Sequence, residues 1–405
     1  MPRNHPATTP NPAAAKVAYD YTMLDTERAL DDWAEKAHDY AWIAFDTEVI
    51  GEKRFRTLVC LIQVACPDGL FLIDPMAIDD LGGFLDLIED DSVLKITHAG
   101  ENDYRLLYQN FGCEPRNLLD TQLASGFLSE RYPVNFKSLV QTHLGVEISK
   151  GYAVADWSRR PIQKGALKYA LEDVVYLRDM LDVVTEKLKA QGRYDWFVEE
   201  MGNWEDVRRY EKTLLDEVKG FGAVYKMRRN EKLFLMRMIE WRRDIAEERN
   251  HSREMVLATK DLNAIVRAMR NGRNGFTSNR HLNKKSWMRH FEEWEGMYQR
   301  EASPQEIEDI KELAAPKSND LREEIVIEIL YRYLRYHCLQ HEIAVDLVLP
   351  RSVIRELNTG NKEALNELME TWRKEFLGDE VMELLRNTAG VEPVLEGRSL
   401  VFRGV

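Results

Sequence analysis

The chain has 405 residues, 44% of them hydrophobic and 31% charged, which is more than one average domain needs and enough apolar material for two or three cores. Its formal net charge of −13 weighs against a uniformly basic nucleic-acid-binding protein, and no run of about 18 apolar residues is present to cross a membrane. Cys60, Cys66, Cys113 and Cys338 are scattered without a Cys-x-x-Cys pair, which weighs against a disulfide frame or a zinc site and suits a reducing compartment.

Residues 1–20 are expected to form a disordered lead-in to a cytoplasmic protein, because the first 16 are rich in Pro, Ala, Thr and Asn and lack an apolar signal core. Thr22 to His38 carries apolar residues at helical spacing (Leu24, Leu30, Trp33, Ala34, Ala37), with Asp25 and Thr26 as capping residues. Three strand candidates follow, Trp42–Thr47, Thr57–Cys66 and Gly69–Ile73, separated by turn-like Gly51-Glu52-Lys53 and Pro67-Asp68-Gly69, so an antiparallel meander is expected. A helix over Asp79–Glu89, a strand over Val93–Thr97, a helix over Glu101–Asn110 and a short strand near Leu118–Leu119 continue the series. This order predicts an α/β fold, a mixed sheet flanked by helices. From Asn135 the pattern is helical to the end, where Val391–Val405 alternates weakly and reads as a short strand or a tail.

The edge of the first domain is expected within Asp195–Trp204, and Asn271–Asn283 reads as a loop. Ala302-Ser303-Pro304 and Ala315-Pro316-Lys317-Ser318 are further helix breaks. The segments Glu231–Asn271 and Asn319–Thr359 echo each other, each an aromatic-basic helix leading into an apolar one, which suggests two related helical domains. Charge is unevenly distributed. Residues 201–300 hold 22 Lys+Arg against 15 Asp+Glu, and no acid lies between Asp261 and Glu292. Arg267, Arg270, Arg273, Arg280, Lys284, Lys285 and Arg289 fall there, interleaved with Phe276 and Trp287; such a stretch suits a phosphate backbone or, equally, a solvated linker.

One short stretch organises the chemistry. Ile43-Ala44-Phe45-Asp46-Thr47-Glu48 is an apolar run ending in two acids two positions apart, which on a strand face the same side. Paired carboxylates there repel and resist desolvation unless a cation lies between them; a solvated acidic turn is the plainer reading. Asp103 falls in the first turn of the helix after the small-residue turn His98-Ala99-Gly100, as a cap or as a group facing the sheet edge. Tyr169 and Asp173, four apart, share one helical face. Asp156-Trp157-Ser158-Arg159-Arg160-Pro161 forms a compact turn whose arginines, with Lys150, suit phosphate contact or solvent.

In order and spacing, Asp46-Thr47-Glu48, His98 to Asp103 and Tyr169-x-x-x-Asp173 resemble the tyrosine-bearing branch of the DEDD superfamily of 3′→5′ exonucleases. The Asp156–Pro161 turn followed by Tyr169-Ala170-x-x-Asp173-Val174-x-Tyr176-Leu177 narrows the resemblance to the ribonuclease D family. It covers Tyr21–Gly192 strongly and extends more loosely over Trp204–Met269 and Leu321–Leu385, which look like HRDC-type helical domains. The resemblance implies a ribonuclease H-like exonuclease domain over 21–203, an HRDC-like domain over 204–285 and a second over 286–405. It implies that Asp46, Glu48, Asp103 and Asp173 hold two divalent cations, Mg²⁺ or Mn²⁺, and that Tyr169 orients the attacking water. Thr47, His98, Asn102, Lys150, Trp157 and Arg159 are the expected substrate contacts. The implied activity is release of nucleoside 5′-monophosphates from RNA with a free 3′ end, such as a tRNA precursor, by a monomer without membrane association. The same chemistry on DNA is the near alternative. A non-catalytic nucleic-acid-binding scaffold is the distant one, because such a protein has no physical use for mutually repelling acids.

Overall fold

The computed structural model describes residues 19–129, 131–148, 151–152, 155–279, 282, 287–313, 320–358, 360–397 and 399–404. The lead-in expected at the N-terminus, Lys150, Arg280, Lys284 and Lys285 lie outside them. The chain divides into two compact units. One runs to Val49 and takes in Val59–Leu107 and Cys113–Glu205; the other holds Ile50–Leu58, Tyr108–Gly112 and the chain from Asp206 onward.

The first unit is built on a six-stranded mixed sheet. Its strands are β1 (Thr22–Leu24), β2 (Trp42–Ile50), β3 (Leu58–Cys66), β4 (Gly69–Ile73), β5 (Leu94–Thr97) and β6 (Leu118–Asp120), in the order β1-β4-β3-β2-β5-β6. β3 and β4 pair antiparallel, as the short Pro67-Asp68-Gly69 turn requires, whereas β1 joins β4, and β5 joins β2 and β6, in parallel. β3 is buried from Val59 to Cys66, the continuous apolar run of a strand covered on both faces. β1 corrects the expectation that helix began at Thr22. Its three residues are too short for a period to register in sequence, and the helix α1 (Glu27–Ala37) starts only after the Thr26 side chain accepts from the Ala29 N–H.

The helices α2 (Gly82–Glu89) and α3 (Glu101–Phe111) pack on one face of the sheet. Phe45 of β2 is wedged between Phe84 of α2 and Tyr104 of α3, with ring centroids 5.7 and 5.5 Å apart in edge-on geometry. Then come α4 (Thr121–Gly126), α5 (Phe136–Leu144), α6 (Lys164–Glu172), α7 (Leu177–Ala190) and α8 (Tyr194–Gly202). Between β5 and α3 the chain turns sharply. Ala99 has φ 61°, and a Cβ on Gly100 would meet the Thr97 side chain at 2.5 Å, so only glycine fits. Asp120, fully buried, holds this turn by accepting from Thr97 Oγ1 (2.9 Å) and the Gly100 N–H (3.0 Å), and caps α4 by accepting from the Leu123 N–H (2.9 Å).

The second unit is almost wholly helical, consistent with HRDC-like domains. A 20-residue helix, Arg229–Glu248, leads into short Arg253–Val256 and then Thr259–Met269; later Leu321–Gln340, again 20 residues, leads into Val345–Val348 and Arg351–Leu357. The echo seen in sequence is thus an echo of element order. The division expected at 285/286 falls inside a single core, because Phe291, Trp294 and Leu313 are buried with Phe234 and Ile265. Part of the expected loop is a helix, Gly272–Ser278, whose Phe276 packs edge-on to Phe291 at 5.3 Å. The last residues form a hairpin, Val391–Glu396 with Ser399–Gly404, resolving the choice between strand and tail.

A buried ion pair ties this core together. The Arg237 guanidinium donates to both Glu306 carboxylate oxygens (2.6 and 2.8 Å) and to the Met297, Arg300 and Glu301 carbonyls. Its side chain is 3% exposed. Arg237→Ala leaves the Met297, Arg300 and Glu301 carbonyls without this donor and the Glu306 carboxylate with only the Arg300 guanidinium and the Ser303 N–H, and is expected to lower the stability of the helical unit by about 3–5 kcal/mol, read as a shifted denaturant midpoint in helical circular dichroism.

Candidate active site

The site lies where β2 outruns its pairing with β5, whose register ends at Ala44 opposite Ile96. Beyond that point the strand alternation sorts its side chains. Phe45 and Thr47 face α3, and the Thr47 hydroxyl donates to the Asp103 carboxylate. Asp46 and Glu48 face the other way, where α6 and its C-cap present Tyr169 and Asp173. One carboxylate oxygen from each of Asp46, Glu48 and Asp173 lies within 4.8 Å of the others. With His98, Phe136 and Tyr169 these three acids line a cleft of about 250 Å³. Asp103 adjoins the cluster through Thr47, near enough for its charge to act on Asp46 and Glu48.

Burial and repulsion from neighbouring acids push every one of these carboxylates above the usual range; Asp46 and Glu48 are repelled by the other site acids, Asp103 by Asp120 and Asp173 by Glu172. Desolvation is the larger cause throughout. Glu48 is raised to about 8, with Asp173 and Asp103 repelling it. Asp173 is raised to about 7 by burial and by Glu172, against the hydrogen bond from the Tyr169 phenol. Asp103 rises to about 6, restrained by the Thr47 hydroxyl, and Asp46 is raised well above its ordinary value. Tyr169 is itself pushed upward by burial and by the surrounding acids, so the phenol stays protonated. The donor set is all carboxylate oxygen, which fits a hard divalent cation, and a cation is what would relieve the repulsion.

The other expected contacts separate into three groups. His98 points its two nitrogens away from the acids. Nε2 donates to the Val134 carbonyl (3.0 Å), Nδ1 meets the Thr121 hydroxyl (2.9 Å), and the ring lies 4.9 Å from Phe136. It fixes the cleft wall. Trp157 is buried, 6.4 Å from the Tyr169 ring, and supports it from behind. Asn102 is exposed and occupied with Arg105 (2.6 Å), outside the cleft lining. Arg159 is exposed, but its neighbour Arg160 is committed. It donates to both Asp74 oxygens (2.7 and 2.5 Å) and to the Cys60 carbonyl (2.7 Å), pinning the 156–161 turn to β3 and β4. Arg160 is thereby withdrawn from the phosphate reading of the arginine pair, and Arg159 is the member left facing solvent. In the basic stretch, Phe276 and Trp287 pack into the helical core, while Arg267, Arg270 and Arg289 remain exposed.

Phe136 and Asp120 were not singled out in the sequence. Phe136 opens α5 directly after Asn135, whose side chain accepts from the Ser138 N–H, so the cap was a usable signal for its placement. Asp120 offered only an acid at the end of a short strand.

Comparison with known proteins accords with this geometry. Residues 21–189 match the family model described as 3′-5′ exonuclease. Ribonuclease D of Bartonella henselae is 28% identical over 355 residues, 86% of this chain and 86% of that protein. Ribonuclease D of Sphingobium indicum is 35% identical over 193 residues, 47% of this chain and 50% of that protein. The crystal structure of Escherichia coli RNase D superposes with a TM-score of 0.78 at 24% identity, covering 91% of this chain and 99% of that one, and so shares the fold. Over most of its length the chain is similar to ribonuclease D proteins, and it is a 3′→5′ exoribonuclease. No helix among the described residues is long and apolar enough to cross a membrane.

The raised carboxylates give the metal-free protein a pH signature. Their folded-state values exceed the unfolded ones, so between the two the native state holds more protons and loses stability as pH rises. In chelator, the melting temperature is expected to fall as pH climbs from about 4.5 to about 8, the span set by Glu48, and then to level off. Asp46→Asn with Glu48→Gln is expected to flatten that slope and raise the melting temperature at the alkaline end, measured by differential scanning fluorimetry.

Proposed function

We propose that this chain removes nucleoside 5′-monophosphates one at a time from the 3′ end of RNA, with tRNA precursors or other stable RNAs as substrates, using two divalent cations, Mg²⁺ or Mn²⁺. The observation that carries this reading is the convergence of Asp46, Glu48 and Asp173, from two separate elements, beside a protonated Tyr169. Asp46, Glu48, Asp103 and Asp173 hold the cations, whose charge, when bound, stabilises the attacking and leaving oxygens at phosphorus.

The chain's own groups do the rest. Tyr169 donates to Asp173 and, being protonated, orients the attacking water and abstracts no proton from it. Thr47 fixes the rotamer of Asp103, and His98 holds the Val134–Phe136 segment so that the Phe136 ring forms one wall of the cleft. That ring offers the terminal base a stacking surface, which tolerates any sequence. Arg159, and on the helical unit Arg267, Arg270 and Arg289, supply positive charge for the phosphates upstream. The helical segments act as HRDC-like RNA-holding domains, and the buried free cysteines accord with a cytoplasmic setting.

The test uses 5′-labelled RNA on a denaturing gel with Mg²⁺ or Mn²⁺. A ladder shortening from the 3′ end is expected, abolished by chelator and by Asp46→Ala or Asp173→Ala. Tyr169→Phe is expected to lower kcat on the order of 100-fold while leaving the metal-induced rise in melting temperature intact. Internal cuts, chelator-resistant cleavage, or equal degradation of matched DNA would overturn the assignment.

A further inference from the structure

Tyr169 carries the phenol that the proposed reaction uses, and an orienting phenol needs its ring held in one place. On a helix a side chain tilts back over the preceding turn, so the residue four positions earlier is the one that would steady it. Here that residue is Gly165, in the first turn of α6, which has no side chain to offer. Glycine is a poor choice within a helix, so its presence calls for a reason. Its φ is not positive, so backbone freedom is not the reason. Close approach is. A Cβ at position 165 would stand 2.7 Å from Cζ and 3.1 Å from Cε2 of Tyr152, and closer still to its hydroxyl. The Tyr152 ring thus occupies the space that a side chain at 165 would have taken.

Tyr152 comes from the segment between α5 and α6 and is half-buried. Its ring centroid lies 6.4 Å from that of Tyr169, with the planes at 49°. Trp157, from the same segment, also stands 6.4 Å from Tyr169, at 35°. Trp157 is buried, and its indole N–H finds no acceptor among the described residues, so what it contributes here is ring surface. Two aromatic rings from one segment therefore stand against Tyr169, one of them seated in the slot that Gly165 leaves open. Tyr152 does not line the cleft that holds the acids. We propose that Tyr152 is a positioning residue for the exonuclease reaction: seated on Gly165, its ring replaces the missing side chain of α6 and holds the Tyr169 phenol in the cleft. The inference rests on the role given above to Tyr169, through which Tyr152 acts.

Steady-state kinetics on the 5′-labelled RNA with Mn²⁺, in the wild-type and Tyr169→Phe backgrounds, test it. Tyr152→Ala is expected to lower kcat about tenfold while leaving KM and the metal-induced rise in melting temperature unchanged, because displacing an orienting group costs rate and not binding. Gly165→Ala, whose Cβ pushes the Tyr152 ring from its seat, is expected to reproduce that loss. Tyr152→Phe, which keeps the ring, is expected to stay within about twofold of wild type. In the Tyr169→Phe background, neither Tyr152→Ala nor Gly165→Ala is expected to lower kcat by more than a further factor of about two, a non-additivity that a merely structural role does not produce. Far-UV circular dichroism verifies that each variant is folded, and where Tyr152→Ala does not fold, Gly165→Ala in the two backgrounds decides. Wild-type kcat in Tyr152→Ala, a change in KM alone, or an undiminished loss in the Tyr169→Phe background overturns the proposal. A Tyr169→Phe enzyme as fast as wild type overturns instead the role given to Tyr169, and the role of Tyr152 falls with it.

Discussion

Repulsion among carboxylates that cannot move apart is the constraint on which the first unit depends. Asp46 and Glu48 are two residues apart on a strand whose preceding residues, Ile43, Ala44 and Phe45, are completely buried, so neither acid can retreat by shifting the backbone. Asp173 closes the cluster from a helix packed by Ala170 and Leu171. Each acid is held at a fixed separation that water alone does not make comfortable, and the outcome in the absence of a cation is proton uptake near neutral pH. A site whose acids take up protons near neutral pH is one in which metal affinity and pH are linked, since each ligand must shed its proton to coordinate.

Holding such a cluster requires rigidity next to it, and the chain supplies that with other charges. Asp120 spends its carboxylate on the turn that carries His98 and the start of α3. Asp74 spends its own on Arg160 and thereby on the turn that carries Trp157. Both acids are buried as deeply as the site acids or more so, yet each is matched by donors. Local accounting of hydrogen-bond partners therefore separates scaffold acids from site acids. Those with a full complement of donors position the backbone, and those that face mainly one another are left for chemistry.

That distinction also explains what could be read in the sequence. The same-side placement of Asp46 and Glu48 followed from strand alternation, and that of Tyr169 and Asp173 from helical spacing, because both are local periodicities. Arg160 was misread alongside Arg159, since its partner is 86 residues away and nothing in the local pattern distinguishes a guanidinium bound for Asp74 from one facing solvent. Phe276 and Trp287 suffered the same fate. Aromatic residues among arginines look like a stacking surface until Phe291 and Trp294, which follow in the chain, are seen to claim them for a core. Short elements fail for a different reason. Thr22–Leu24 is a strand only because β4 lies ready to pair with it.

The helical unit shows how one sequence pattern yields two environments. Both long helices are followed by a four-residue helix and then a longer one, and both carry apolar residues beyond a single stripe. In the first, the surplus is absorbed by a helix pair whose attachment is secured by Arg237 and Glu306, a buried ion pair with five hydrogen bonds around the guanidinium. In the second, no equivalent pair lies on the helix among the described residues, and the surplus faces outward as Leu321, Ile325, Tyr333 and Tyr336. The acids and arginines along that face are ordered by sign, with both glutamates before both arginines. That order suits the helix macrodipole, which favours acids toward the N-terminus and bases toward the C-terminus.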